Sequence, residues 1–452
     1  MEDFKASVLA CLADKKVIEL KKVLNEADEL EIINMMDELS NDELVLVYRL
    51  LSKDMALEVF EKLDLNDQQK LINSLTEEKA IEIFKELAPD DRVRLLDELP
   101  AIVTKQILAA LSARDRADIN LIMGYAPETA GRLMTTEYVR LKKEWTAGES
   151  LEKLRNIAKE KETIYTLYIT DLSRKLEGVL SLRELLVADP TTRVSDIMQT
   201  NVVKVATDTD QEEVAYNLKK MEILALPVVD SEDRLVGIVT VDDAMDILEE
   251  EATEDILAGA GIASTESIRS ETLIEGSLFA IGKARLPFLI IAMAGGLLAG
   301  SVIGGFEETL ESVAIVAMFI PVIMDMGGTI GTQSSTIFTR GLILGHIQEK
   351  AIWNHIAKEV LVGMTLGIIS GFAVGFAAYL WQGMPELGWA LGLALAITMT
   401  LAAFLGFVIP YILIKFKLDQ ATGTGPLITS IKDITGLTIY FLLASYFLGH
   451  LM

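Results

Sequence analysis

Two acidic residues stand in stretches otherwise apolar enough for a membrane. Asp433 lies in GPLITSIKDITGL and Asp325 in IPVIMDMGGTIGTQSST. Charge in hydrocarbon is costly, so an acid held there marks a functional position. Thr329, Thr332, Gln333, Thr429 and Thr435 cluster nearby, and flanking glycines leave backbone carbonyls free to face a path. This donor set is all oxygen, which suits a hard cation such as Mg²⁺ or Ca²⁺. Neither motif holds a thiolate or a histidine, which argues against an inner-sphere zinc or copper site. Mg²⁺ gives up its water reluctantly, so one Asp from each of two subunits could hold the ion still hydrated. Asp433 is the expected ligand, and Asp325 reads equally as a structural acid at a helix break. Lys432 is expected to point away from the path, because adjacent positions on a helix do not face each other.

Five apolar stretches carry these motifs: Leu286–Gly305, 312–339, 360–384, Leu387–Ile414 and 421–452. Each is long enough to cross a hydrocarbon core. The second and fifth contain charge and glycine, so a break or a cavity is expected there. The loops alternate in Lys and Arg. Lys283 and Arg285 precede the first stretch, Arg340, Lys350 and Lys358 follow the second, and Lys415 and Lys417 follow the fourth. The other loops hold only Glu, so the N-terminal part is expected in the cytosol and the C-terminus outside, in a plasma-membrane protein. The peptide 347–359, with Trp353 and Ile356 on one face, reads as an amphipathic surface segment. Gly363, Gly367, Gly371 and Gly375, and likewise Gly296, Gly300 and Gly304, make stripes on which helices approach closely. Five helices leave little room for an enclosed pore, so a homodimer with the path between subunits is expected.

The charge lies elsewhere. Residues 284–452 hold seven Lys/Arg and nine Asp/Glu, leaving 34 basic and 58 acidic residues in the rest. Such a surface repels nucleic acid and gathers cations. The single cysteine, Cys11, makes no internal disulfide, and the N-terminus lacks the pattern of a cleavable signal.

Leucine recurs every twelve residues from Leu39 to Leu111, followed at most steps by a good helix N-cap or by proline. Paired short helices of this kind stack into an α-solenoid. After Met134 the pattern becomes strand, helix, strand, turn, strand, helix, twice over. It resembles a tandem pair of CBS domains. Such modules often bind adenine nucleotides such as ATP through a Ser/Thr and an Asp three residues on, a spacing matched by Thr240 and Asp243. The acids of LEEEATEDI, Glu249–Glu251, Glu254 and Asp255, repel one another unless cations neutralise them.

The fold class is therefore a multi-domain membrane protein: a cytosolic α-solenoid (1–130), two CBS repeats (131–195 and 196–257), a connecting helix (258–282) and a five-helix all-α transmembrane domain (283–452). This order of parts resembles the MgtE family of magnesium transporters over essentially the whole chain. The strings GRLMTTEYV, LPVVDSEDRLVGIVTVDDAMDILEEEATEDI, MDMGGTIGTQSSTIFTRGL and DQATGTGPLITSIKDITGL carry the resemblance. It implies a homodimeric Mg²⁺ channel-transporter with Asp433 as the pore ligand. It also implies cytosolic Mg²⁺ sites that lock the pore shut, and carries that role onto Asp91, Asp210, Glu212, Glu222, Asp243, Asp246, Glu251, Glu254 and Asp255. Asp419 matches a residue facing the connecting helix. Thr329 stands where the family usually has Asn, and Gln420 where it usually has Pro. The alternatives are a CBS-regulated transporter of Co²⁺ or Mn²⁺ and a Mg²⁺ sensor without transport. An intramembrane aspartyl protease is disfavoured, because its paired-acid signatures are missing.

Overall fold

The computed structural model describes residues 2–13, 16–36, 39–63, 65–75, 77–263, 273–274, 277–312, 314–343, 346–347, 351–416 and 424–449. The chain divides into two compact units, Met1–Leu248 and Glu249–Met452.

The first unit opens with short helices: α1 (Glu2–Ala13), α2 (Val17–Asn25), α3 (Glu29–Met36), α4 (Asn41–Leu50), α5 (Lys53–Lys62), α6 (Leu65–Ser74), α7 (Glu77–Glu86), α8 (Pro89–Glu98), α9 (Ala101–Ala110) and α10 (Ala113–Met123). The twelve-residue spacing is ten helical residues and a two-residue link. Ser52 and Ser112 cap α5 and α10 through their hydroxyls, and Ser40 forms a capping box with Glu43. The repeated leucines end the helices in extended conformation and seal the core between layers, as at Leu63, Leu99 and Leu111.

The second part of this unit is two small sheets. In one, β1 (Val139–Leu141) pairs parallel with β2 (Thr166–Thr170), which pairs antiparallel with β3 (Leu176–Ser181). In the other, β4 (Val205–Ala206), β5 (Ala225–Val229) and β6 (Leu235–Thr240) repeat that arrangement. The sheets meet around Tyr168, Ala225, Leu235 and Ile238, and the Tyr138 hydroxyl donates to the Leu235 carbonyl at 3.0 Å. The leading segments cross over. Ala130 and Gly131 donate to the carbonyls of Thr209 and Thr207, while Val179 and Gln199 exchange backbone hydrogen bonds. The segment entering the first repeat therefore completes the second, and the link between repeats completes the first. The sequence boundaries at 130/131 and 195/196 fall inside α11 (Ala130–Leu133) and a short helix at Val194–Ile197. Arg132 ties α11 to α8 through both carboxylate oxygens of Asp97, at 2.8 and 2.6 Å. A helix at Gln211–Met221 covers the second sheet, and the helix Val241–Gly259 follows β6 and contains the boundary between the two units.

Among its described residues the second unit has five helices long and apolar enough to cross a membrane. The first is Leu278–Gly305. The second enters through a 3₁₀ segment, Ala314–Phe319, ahead of Pro321 and continues as Ile320–Ile343. The third is Ile352–Gln382, the fourth Pro385–Lys415 and the fifth Thr424–Leu448. The break expected in the second helix is this tight entry, whereas the fifth is continuous. The amphipathic surface peptide is corrected: residues 352–359 are the opening turns of the third helix, with Ile356 buried and Trp353 edge-on to Tyr411. Most of the expected connecting helix, 264–272 and 275–276, lies outside the described residues, and residues 278–282 belong to the first membrane helix.

The glycine stripes have different fates. A Cβ on Gly363, Gly367, Gly371 or Gly375 would collide with the fourth helix, mostly with its backbone. A Cβ on Gly296, Gly300 or Gly304 would meet nothing within 4 Å.

Candidate functional site

The second and fifth membrane helices border an open cavity of about 770 Å³, lined by Asp325, Gly328, Thr329, Thr332 and Gln333 from one and by Thr429 and Lys432 from the other. Its polar groups are hydroxyls, an amide, a carboxylate and the Lys432 ammonium, set among the apolar side chains of Met324 and Ile337. Asp325 is exposed in the single chain, while Lys432 is 4% exposed. One sequence expectation is corrected here. Lys432 turns toward the cavity, donates to the carbonyl of Met324 and stands 2.6 Å from Asp433 Oδ1. The Asp433 carboxylate is 13% exposed and is not among the groups lining the cavity. The ~100° between adjacent helical positions separates Cβ directions, but four methylenes let an ammonium fold back onto its neighbour. The approach is an ion contact bent too far for a hydrogen bond.

Glycine makes room for this lysine. A Cβ on Gly328 would stand 2.9 Å from Lys432 Nζ, and one on Gly327 would stand 3.3 Å from Cδ. The pair expected to bare carbonyls to a path serves here to accommodate an aliphatic stem. Nearby, Ser334 donates to Glu359 at 2.7 Å, giving an acid of the third helix a partner.

At its start, one to two turns before Lys432, the fifth helix meets the tail of Val241–Gly259. Gly261 has φ +77°, and a Cβ there would lie 2.6 Å from Pro426 Cγ. A Cβ on Gly425 would lie 2.6 Å from the Gly259 carbonyl oxygen, and Ala263 donates to the carbonyl of Ala284 at 3.0 Å. Glu251, Glu254 and Asp255 lie on that acidic helix and are partly buried. Asp419 lies outside the described residues.

In the first unit α8 and the start of Val241–Gly259 bring acids together. Asp91, Asp243 and Glu162 feel one another's charge, and Asp90 and Asp242 join them. Burial, then repulsion from Asp91 and Asp243, pushes Glu162 up to about 7, although one side of it stays open to solvent. Burial likewise pushes Asp243 up to about 6 against the Thr240 hydroxyl, which donates to it at 2.5 Å. Asp90 is raised by burial and by Asp243, and its Oδ1 is buried with no hydrogen-bond partner among the described residues. Asp91 is also raised by burial, with Arg94 working against that and Asp242 and Asp246 adding to it. Asp246 is 3.6 Å from Arg94.

The other expected ligands scatter. Asp210 caps the Gln211–Met221 helix, accepting from the backbone N–H of Glu212 at 2.9 Å, and Glu222 ends the same helix at φ 52°. A rise of ~1.5 Å per residue puts Asp210 and Glu222 ~18 Å apart, too far to share one ion within one chain. Among the described residues no three His, Cys, Asp or Glu side chains converge to hold a metal. Asp90, Asp242 and Glu162 were missed as members of the cleft. Asp90 carried a signal in the acidic face of α8, whereas Glu162 sits in a turn that only tertiary structure brings near.

Taken together, a helical repeat, a paired α/β module and, among the described residues, five apolar helices, two of which border a cavity with polar groups, define a multi-pass membrane protein with a large N-terminal head. The comparisons agree. Residues 320–443 match the family "Divalent cation transporter", residues 5–128 the "MgtE intracellular N domain" and residues 194–250 the "CBS domain". The magnesium transporter MgtE of Thermus thermophilus is 37% identical over 98% of both chains, and that of Bacillus subtilis 36% identical over 76% of this chain and 75% of its own. The cytosolic domain of the Mg²⁺ channel MgtE in complex with ATP matches with 40% identity and a TM-score of 0.51, over 54% of this chain and 99% of its own. The soluble part of a magnesium transporter matches with 31% identity and a TM-score of 0.50, over 56% and 99%. The chain belongs to the MgtE family of magnesium transporters.

Proposed function

We propose that this protein imports Mg²⁺ across the plasma membrane as a homodimeric channel-transporter, with its C-terminus outside, and that cytosolic Mg²⁺ shuts it. The observation that carries the reading is the cavity between the second and fifth helices, whose wall offers the hydroxyls of four threonines, the Gln333 amide and the Asp325 carboxylate, in a chain 37% identical over 98% of its length to a magnesium transporter. Its groups suit a hard dication that keeps much of its water. Two copies of Asp433, one from each subunit, would complete the ligand set. The acids of the cleft, Asp91, Asp243 and Asp246, together with Asp210, Glu212, Glu222, Glu251, Glu254, Asp255 and Asp419, are the proposed gating ligands. Scattered acids that cannot share an ion within one chain fit ions bridging domains or subunits. Bridged, they hold the head compact; without ions they repel, and the head loosens. A few kcal/mol of differential binding over several sites suffices for such a switch. An adenine nucleotide at Thr240 and Asp243 is a further proposed ligand, supported by the relative solved with ATP.

Flux into proteoliposomes tests transport. Wild type should carry Mg²⁺, and Asp433→Asn should lower the rate by about tenfold or more, the scale of losing a charged ligand to a dication. Equal rates in the two would leave only the sensor reading. Competition by Co²⁺ and Mn²⁺ in the same assay measures what Thr329, on the cavity wall, does to selectivity.

A further inference from the structure

Among the described residues Lys432 is the one basic side chain lining the cavity, and it is nearly sealed from solvent. Three features hold it in place. Its ammonium donates to the Met324 carbonyl, its stem runs over Gly327 and Gly328, and its charge touches Asp433. The absence of a Cβ on either glycine leaves room for this stem and its ammonium. An ammonium 2.6 Å from Asp433 Oδ1 stands where a cation attracted to that carboxylate would come.

From this geometry we propose that Lys432 is a specificity-determining residue, a tethered cation that occupies Asp433 when no divalent ion is there and weakens the ion's hold when one arrives. The proposal rests on the transport reading above and assigns its affinity to a second residue. Asp433 with a permanent counter-charge presents little net charge to the path. A dication must either displace the ammonium from the carboxylate or sit beside it. Both lower affinity, and both matter less to an ion that stays at a distance behind its water than to one that binds bare. The lysine would therefore speed release and disfavour Ca²⁺, which sheds water more readily than Mg²⁺.

The test uses the full chain in proteoliposomes, with Mg²⁺ flux measured against external Mg²⁺ and against added Ca²⁺. Lys432→Met removes both charge and donor, and Lys432→Gln removes the charge but keeps an N–H for Met324. Both should lower the half-saturating Mg²⁺ concentration by at least roughly tenfold, the floor for removing a unit charge a few ångströms from a dication even at the dielectric of water. Both should also make Ca²⁺ a stronger blocker of Mg²⁺ flux. Should the methionine variant fail to fold, the glutamine variant carries the test alone. Half-saturation and Ca²⁺ block at wild-type values in a variant that still conducts would overturn the proposal, leaving Lys432 a packing residue. Absence of flux in wild type would instead remove the transport reading, and this proposal with it.

Discussion

Gly261 faces Pro426 across a gap with no room for a methyl group, at a backbone angle of +77° that L side chains rarely adopt. Here the tail of the acidic helix is seated on the start of the fifth membrane helix, whose later turns carry Lys432 and Asp433. Gly261→Ala combines the left-handed strain of a non-glycine residue, about 1–2 kcal/mol, with a collision against Pro426. The predicted outcome is a loosened junction and flux that internal Mg²⁺ no longer suppresses fully. Proteoliposome flux with millimolar Mg²⁺ inside measures it, and suppression equal to wild type would show that the junction does not transmit the gate.

The acidic cleft predicts an unusual pH dependence. Glu162 and Asp243 titrate higher when folded, up to about 7 and about 6, because burial and neighbouring acids disfavour their charged forms. Between their unfolded and folded values the folded chain holds more protons than the unfolded one, so stability falls as pH rises through that window. A fragment from Met1 to Gly259 in EDTA should melt at a lower temperature near pH 7.5 than near pH 5. Added Mg²⁺ should raise melting at the higher pH and do little at the lower, where fewer carboxylates are ionised. Melting that climbs with pH in EDTA contradicts the assignment.

Nucleotide binding is predicted at the second repeat. The Thr240 hydroxyl is bonded to Asp243 at the start of the helix that follows β6. Thr240→Ala removes a donor worth about 1–3 kcal/mol when its partner is charged. ATP affinity of the Met1–Gly259 fragment, read by calorimetry, should drop by about tenfold. Undiminished affinity would move the nucleotide elsewhere.

The third and fourth membrane helices predict a stability effect. Gly371 lies against the Gly392 backbone, and Gly367 against that of Ala396. Backbone cannot move aside as a side chain can, so Gly367→Val or Gly371→Val should lose at least the 1–3 kcal/mol typical of overpacking. A fall in the melting temperature of detergent-solubilised protein reads this out. Gly300→Val, with open space around it, should change it far less unless a second copy covers that face.

The architecture was largely legible in the sequence because its signals are periodic. Twelve-residue leucines, repeated strand patterns and long apolar runs each report a local preference, and the helices appear where those signals stand. The cavity's chemistry was legible too, since Thr329, Thr332, Gln333 and Asp325 share one helix. What failed depends on where long side chains go. The position of Lys432 follows from two glycines on another helix, which no spacing rule within the fifth helix reveals. The cleft joins α8 to a turn at Glu162 and to a helix some 150 residues downstream of α8, so its members declare themselves only once the chain is folded. The crossing of the leading segments between repeats was hidden for the same reason.

The seam of four glycines also divides the labour among the crossings. Two long rods pressed backbone to backbone can neither slide a residue nor rotate a few degrees without collision, so they form a stator. The two would then move as one body against the first, second and fifth helices. Spectroscopic labels on the third and fourth helices would report a constant distance in every functional state.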